Sequence, residues 1–310
     1  MAPLTFQPIY QQRVWGGRKL ETIYDRQLPE PATPYGESWE ISDRPEAQSV
    51  VTSGALAGKS LHQLWSEQRC EIFGDYSSDS FPLLIKILDA QADLSIQVHP
   101  PQHLAAELNG EPKTEIWYIA HAEPNAKIYV GLKMGTTRES FEAALNNGDP
   151  DKLVHAIEPQ AGESIHIPSG RLHAIGAGLV IYEIQQNSDT TYRVFDWNRL
   201  GLDGAPRELH IRDSMQCIDF SDFEPTMDSP KGNTLAECAY YKVDKFQLSE
   251  GYSINNPEED KFSILTVVEG CLKDCDGNTH SAGSFLLNPA GVKGLIACSD
   301  CIVLQTTLPE

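Results

Sequence analysis

The sequence predicts a mainly β protein built from two related β-barrels, the first carrying helical insertions and the second a degenerate copy. Three observations lead there. Short runs rich in Val, Ile, Trp and Tyr are punctuated by Gly, Pro, Asn and Asp, the spacing of antiparallel strands. The chain has 310 residues, about two domains' worth, and its composition shifts at residues 223–233, where Pro225, Asp228, Pro230, Gly232 and Asn233 cluster as a linker. The frame G-x5-P occurs at Gly162–Pro168 and again at Gly283–Pro289, a loose internal echo.

In chain order, β-like runs fall at residues 38–42 and 49–53, and residues 60–73 place Leu61, Leu64, Trp65 and Ile72 at helical spacing. Strands follow at 82–88, 94–98, 115–120 and 127–130. Thr136 with Glu139 has the form of a capping box; Phe141, Ala144 and Leu145 share one helical face, and Gly148 stops the helix. Further strands are predicted at 164–167, 179–185 and 191–195, and a third helix at 208–218. After the linker, residues 235–308 again read as short strands with turns at 273–277 and 288–291. The expected division is a metal-binding catalytic domain over 1–228 with helical inserts, and a C-terminal β domain over 229–310 without metal ligands.

A formal net charge of −20 repels phosphate backbones and disfavours nucleic acid as a partner. A small anionic substrate is compatible with it, provided the site carries its own cations. No apolar run approaches the roughly 18 residues of a membrane span, and residues 1–19 hold no apolar signal core, so a soluble cytoplasmic protein is expected. The seven cysteines are an odd number spread along the chain, which argues against a disulfide framework.

The sharpest string is Gly162-x5-Pro168-x-Gly170-x2-His173. Gly162 opens a turn, a strand follows, Pro168 and Gly170 reverse the chain, and His173 begins the returning strand. Upstream, Gln97 and His99 stand at i and i+2 and share one strand face, as do Lys113 and Glu115 at the start of the next apolar strand. Gln97, His99, Glu115 and His173 make two imidazoles, a carboxylate and an amide oxygen. That set suits one Zn²⁺ or another borderline divalent ion per chain, with a position left for water or substrate. Both strings resemble the two signatures of the cupin barrel, which implies a jelly-roll fold. Gln97 stands for the usual first His, and Ala177 for the usual terminal Asn.

A more specific resemblance follows. The motifs 34–42 (PYGESWEIS), 81–86 (FPLLIK), Gln97-Val-His99-Pro100, Lys113-Thr-Glu115, Pro168-x-Gly-x-x-His173 and Asn187-Ser-Asp189-x3-Arg193 stand in the order found in type I phosphomannose isomerases. The likeness covers about the first 220 residues, in the compact bacterial form. It implies a Zn-dependent isomerase of mannose 6-phosphate and fructose 6-phosphate, with Gln97, His99, Glu115 and His173 as metal set and Arg193 as catalytic arginine. Pro101, where an Asp is usual, and Arg171, where a small residue is common, depart from the pattern.

Aldose–ketose isomerisation needs a base that moves a proton between C1 and C2 and a group that stabilises the enediolate oxygen. Arg193, always charged, suits the second task, with Asp189 as an orienting partner. Lys113, close to a metal and other cations, is expected to have a lowered pKa and to shuttle the proton; a metal-bound water is the rival base. Lys86, Arg171 and Lys113 are candidate cations for the phosphate, Lys86 because a lysine inside an apolar strand is costly as mere packing. The expected partner is a small sugar phosphate, and the chain is either a monomer or a homodimer. Two other readings compete: a non-catalytic sugar-phosphate sensor, against which Lys113, Glu115, Asp189 and Arg193 speak, and a cupin metal oxidoreductase, against which Gln97 speaks. Cys271, Cys275, Cys298 and Cys301 are read as free thiols, not a zinc site. The strings 15–17 and 35–39 read as loop wedges, with Glu37 and Glu40 as lining groups at most.

Overall fold

Apolar side chains at alternate positions give each predicted run a face to bury, and pairing these faces decides the architecture. The computed structural model, which describes residues 2–309, is mainly β. It divides into two compact units. One comprises Tyr10–Ser38 and Lys86–Asp228; the other comprises the described residues up to Ile9, Trp39–Ile85, and those from Ser229 onward. The cut at Asp228/Ser229 falls inside the predicted linker. Residues up to Ile9 and Trp39–Ile85, expected within 1–228, instead group with the C-terminal part. The reason is contact between segments remote in sequence: Leu4 and Leu287 exchange backbone hydrogen bonds of 2.8 and 2.9 Å, and the rings of Phe73 and Phe81 pack on Phe262.

The first unit carries the strands that matter for the site. They are β1 (Ile9–Gly17), β2 (Tyr35–Ile41), β3 (Leu83–Ala90), β4 (Ile96–Val98), β5 (Glu115–Ala122), β6 (Ile128–Leu132), β7 (Val154–Ile157), β8 (Ser164–Ile167), β9 (His173–Ile175), β10 (Leu179–Gln186) and β11 (Tyr192–Phe195). They form a six-stranded sheet in the order β1-β2-β3-β10-β5-β8 and a five-stranded sheet in the order β11-β4-β9-β6-β7. The division between units runs through β1, β2 and β3. Trp15, Leu88, Trp117, Ile119, Ile165 and Ile181 of the larger sheet meet Ile128, Val130 and Ile175 of the smaller one in a single core. The smaller sheet's other face is sealed by Phe141 of the helix Arg138–Asn147 and by Met215 and Cys217 of the helix Ile211–Cys217. Only the inner faces are left for a cleft.

In the other unit, the strands Thr234–Glu237, Lys242–Leu248, Cys301–Thr307, Ser263–Glu269 and Phe285–Asn288 form one sheet in that order. Four shorter strands form a second. Leu265, Val267, Leu272, Leu286, Leu295 and Val303 fill a core there.

Local differences from the sequence reading have local causes. The helix predicted at 60–73 breaks at Gln68 (φ −133°) into Leu61–Glu67 and Arg69–Ile72, with Ser60 and Gln63 forming a capping box. The next helix begins one residue later than expected. Thr137, not Thr136, is its cap, and the reciprocal partner is Ser140, whose shorter side chain still reaches the Thr137 N–H at 2.9 Å. The third helix is shorter, Ile211–Cys217. Cys271 and Cys298, read as thiols, form a disulfide, because the pairing of Cys271–Lys273 with Leu295–Ala297 brings their Cα atoms to 5.6 Å. Cys275 and Cys301 are free.

Candidate active site

Each inner strand face is apolar at one end and polar at the other. On β5, Glu115 shares a face with Trp117 and Ile119; on β10, Glu183 shares one with Ile181; on β3, Lys86 shares one with Leu88. Register then aligns the polar ends, since Glu183 lies opposite Trp117 and Gln185 opposite Glu115. In the facing sheet, His173 of β9 is opposite Gln97 of β4, which is opposite Arg193 of β11. Directly opposed residues project from the same face, so these three form a row. The turn that delivers His173 depends on Gly170, at φ +90°, where a β-carbon would also crowd Cys217 O.

His99, Glu115 and His173 converge. One donor atom from each lies within 4.8 Å of the other two, and all three residues are at most 1% exposed. Glu115 Oε2 is 3.7 Å from His99 Nε2, and Glu115 Oε1 is 3.7 Å from His173 Nε2. Both imidazoles are oriented from behind: His99 Nδ1 donates to Thr190 O at 2.9 Å and His173 Nδ1 to Arg171 O at 2.8 Å. Each Nε2 therefore turns a lone pair inward, the arrangement of a metal-binding histidine. His99 Nε2 and Glu115 Oε1 are buried with no hydrogen-bond partner. Gln97 completes the ring, its amide nitrogen 3.3 Å from His173 Nε2; half a turn about the last torsion would put its oxygen there instead. Buried orphan donors of this chemistry fit a divalent cation.

Charge agrees with that reading. Burial pushes the pKa of His173 down to about 4, and burial, then Lys113 and His173, drives that of His99 well below its usual range. Both are neutral, hence able to donate lone pairs, at physiological pH. Lys113 departs from expectation. Burial acts to lower its pKa, but Glu115 at 2.9 Å and Glu183 at 3.5 Å outweigh it and hold the ammonium charged above its ordinary value.

The convergent groups adjoin a cleft of about 550 Å³ lined by Gln97, Lys113, Lys86, Glu183, Asp189 and Arg193 among others. Lys86 is buried between carboxylates, 3.6 Å from both Glu37 and Glu183 and 4.0 Å from Asp189. Asp189 lines the cleft as expected, but the cation it faces is Lys86; the Arg193 guanidinium instead donates to Glu208 O at 2.7 Å. Arg171, expected at the phosphate, is not brought to the cleft: its guanidinium forks onto Asp222 at 2.8 and 2.9 Å. It acts by position, since its carbonyl orients His173.

Charged lining residues that the sequence reading does not mark include Arg13, Glu183 and Arg207, while Glu37, expected as a lining group at most, does line the cleft. Glu183 is the most telling: it accepts from Trp117 Nε1 at 3.2 Å, and burial together with the Glu115 charge raises its pKa. A carboxylate inside the apolar strand 179–185 was the available signal, the same anomaly that marks Lys86. Glu37, held at 2.8 Å by Arg13, and Arg13 itself lie on strands whose sequence gives no such mark. Arg207 reaches the cleft from a loop.

Comparison with known proteins now bears on the geometry. Residues 4–114 match the sequence profile of the phosphomannose isomerase type I catalytic domain. The mannose-6-phosphate isomerase ManA of Bacillus subtilis is 36% identical over 315 residues, spanning 97% of this chain and 98% of that one. The chain belongs to the type I phosphomannose isomerase family. Within that family, the probable mannose-6-phosphate isomerase GmuF of B. subtilis is 42% identical over 301 residues, covering 93% of each chain. The crystal structure of the B. subtilis mannose 6-phosphate isomerase superposes with a TM-score of 0.88 at 32% identity, covering 99% of this chain and 100% of that one.

Proposed function

We propose that this protein interconverts mannose 6-phosphate and fructose 6-phosphate, using Zn²⁺ held by Gln97, His99, Glu115 and His173. What supports this most is likeness over nearly the whole chain to isomerases of that name, joined to a convergent donor set beside a cation-lined cleft. An ion held by these residues would supply Lewis-acid stabilisation of negative charge on a substrate oxygen. The rest is work for the chain. Lys113, held by Glu115 and Glu183, donates to the same developing charge. Glu183, a buried carboxylate with raised proton affinity between two ammonium groups, is the group suited to take the proton from one carbon and return it to the next. Arg193, beside Gln97 in the strand register, holds an oxygen of the enediolate with its fork. Lys86 and Asp189 bind substrate hydroxyls along the cleft. The burial of Lys86, Lys113 and Glu183 keeps water from their side of the reacting carbons.

In this reading the site-bearing sheet pair is a cupin-type jelly roll acting as the catalytic domain within 1–228, the C-terminal part is its degenerate relative, and the enzyme is cytoplasmic. The test is a coupled assay with mannose 6-phosphate, before and after chelator treatment and after restoring Zn²⁺. Turnover that chelation abolishes and Zn²⁺ restores is expected. Absence of turnover in metal-replete protein would refute the activity.

A further inference from the structure

Arg193 is a guanidinium without a carboxylate. Its side-chain partner among the described residues is a backbone oxygen, Glu208 O, and its Nε is buried with no acceptor. Close by, Arg207 also lines the cleft, and it shares one carboxylate with a second arginine: Asp196 Oδ1 lies 2.8 Å from Arg199 and 2.5 Å from Arg207. Two guanidiniums thus share one carboxylate, Arg207 by a fork (Nε to Oδ2 at 2.7 Å and Nη2 to Oδ1 at 2.5 Å), and Arg193 adds a third positive charge to the same cleft. Two further carboxylates are near, but neither closes on them. Asp203 Oδ1 accepts from Ala205 N at 3.0 Å, and the Glu208 carboxylate is largely exposed, 4.0 Å from His210. Burial, then the neighbouring charge of Arg207, works against the charged state of Arg193.

Another cation of the same cleft has the reverse surroundings. Lys86, the cation the sequence favours for the phosphate, faces Glu37, Glu183 and Asp189. A phosphate dianion brought there would meet three carboxylates. An open-chain hexose 6-phosphate carries its anion at the end of the chain away from C1 and C2. The row His173, Gln97, Arg193 spans two strand spacings of about 4.8 Å each, and Arg207 belongs to the segment that follows this row.

We propose that Arg207 binds the phosphoryl group and is the residue that makes this enzyme prefer a phosphorylated sugar. It rests on the isomerase reading only for the identity of the sugar. Asp196 positions Arg207, and Arg199 serves as an internal control, because it holds the same carboxylate yet does not line the cleft.

The experiment compares wild type, Arg207→Gln and Arg199→Gln, each metal-replete, for KM and kcat with mannose 6-phosphate and for competitive inhibition by inorganic phosphate. Arg207→Gln is expected to raise KM and the phosphate inhibition constant by about ten- to a hundredfold with kcat little changed, the size of one lost charge-assisted contact. Arg199→Gln should move neither by more than about twofold. Unchanged constants in Arg207→Gln, or equal changes in both variants, would overturn the proposal, the second because it marks a merely structural role through Asp196. Should Arg207→Gln fail to fold by circular dichroism, Arg207→Lys decides in its place: a weakened but measurable phosphate affinity is expected, and wild-type affinity overturns. If wild type does not turn over mannose 6-phosphate, the isomerase reading fails separately. Calorimetric titration of inorganic phosphate into the same three proteins then decides for Arg207, and no difference between wild type and Arg207→Gln rejects it.

Discussion

Two interiors of this chain start from one sequence frame and end differently. Around Pro168-x-Gly170-x2-His173, the strands deliver an imidazole to a point where another imidazole and a carboxylate already face inward. Around Pro289-x-Gly291-x2-Gly294, the corresponding position is glycine, and a β-carbon there would lie 1.9 Å from Ile254 O. No histidine fits. Several polar groups of that second interior bond one another; Thr266 Oγ1, Asn288 Oδ1 and Thr306 Oγ1 stay without a partner, but none is an imidazole or carboxylate of a convergent donor set. Asn256 Oδ1 accepts from Ser263 Oγ and Asn288 Nδ2, each at 2.7 Å, Asn256 Nδ2 donates to Lys261 O and Pro289 O, and Gln305 Nε2 donates to Asn255 O at 2.8 Å. Buried polar atoms that satisfy each other hold a core together, whereas donor atoms that face a common point with no partner wait for a ligand.

The sharpest way to break this comparison is to remove a donor from the first interior. His99→Ala and His173→Ala should each strip the metal and lower kcat/KM by more than about a hundredfold, beyond what loss of an outer hydrogen bond costs. Elemental analysis checks it, and metal content equal to wild type in both variants would sink the ligand assignment. Arg193→Lys, at the edge of the same row, should keep the metal and lose kcat by roughly a hundredfold, because a lysine retains the charge without the planar fork. Wild-type turnover would move that role elsewhere.

Acid distinguishes the two interiors as well. The folded-state pKa of His173, about 4, lies below the ordinary 6.5, so between these values the unfolded chain binds more protons than the folded one. In metal-free protein the stability from this group is fully present above about pH 6.5. It is lost as pH falls through about 4, a change of order 3 kcal/mol. His99 acts in the same direction. Urea unfolding from pH 7 to 4 should show the loss, reduced in His173→Gln. A pH-independent midpoint would contradict neutral buried imidazoles. The smallest effect belongs to the second interior, where Asn288→Ala should lower stability by about 1–3 kcal/mol and leave metal content and kcat unchanged. A fall in metal content there would erase the distinction between the two interiors.

Much of the site was legible before the fold, for a physical reason. Ligands that must reach one point from neighbouring strands sit at short fixed spacings, so Gln97 and His99, Lys113 and Glu115, and the turn before His173 leave marks in the linear chain. Lys86 was visible by the same logic, as a charge inside an apolar strand. Its partners were not, because Glu37 and Glu183 reach it from strands distant in sequence, and they recast it from a phosphate contact into the middle of an ion network. Arg171 misled because proximity in sequence to His173 says nothing about direction: its side chain turns to Asp222 while its carbonyl serves the site. Lys113 is expected to have its pKa lowered by a bound metal and other cations; in the metal-free chain its nearest charges are carboxylates 2 and 70 residues away, which act the other way.

By itself, then, the sequence determined the mainly β class and marked His99, Glu115 and His173, which the structure brings together, because these depend on periodicity, turn chemistry and short spacings. Tertiary structure alone decided which segments share a unit, which side chains of the cleft neutralise one another, and where unspent positive charge remains. Those depend on register between strands far apart in the chain, and a charge has no net effect until its nearest neighbours in space are known.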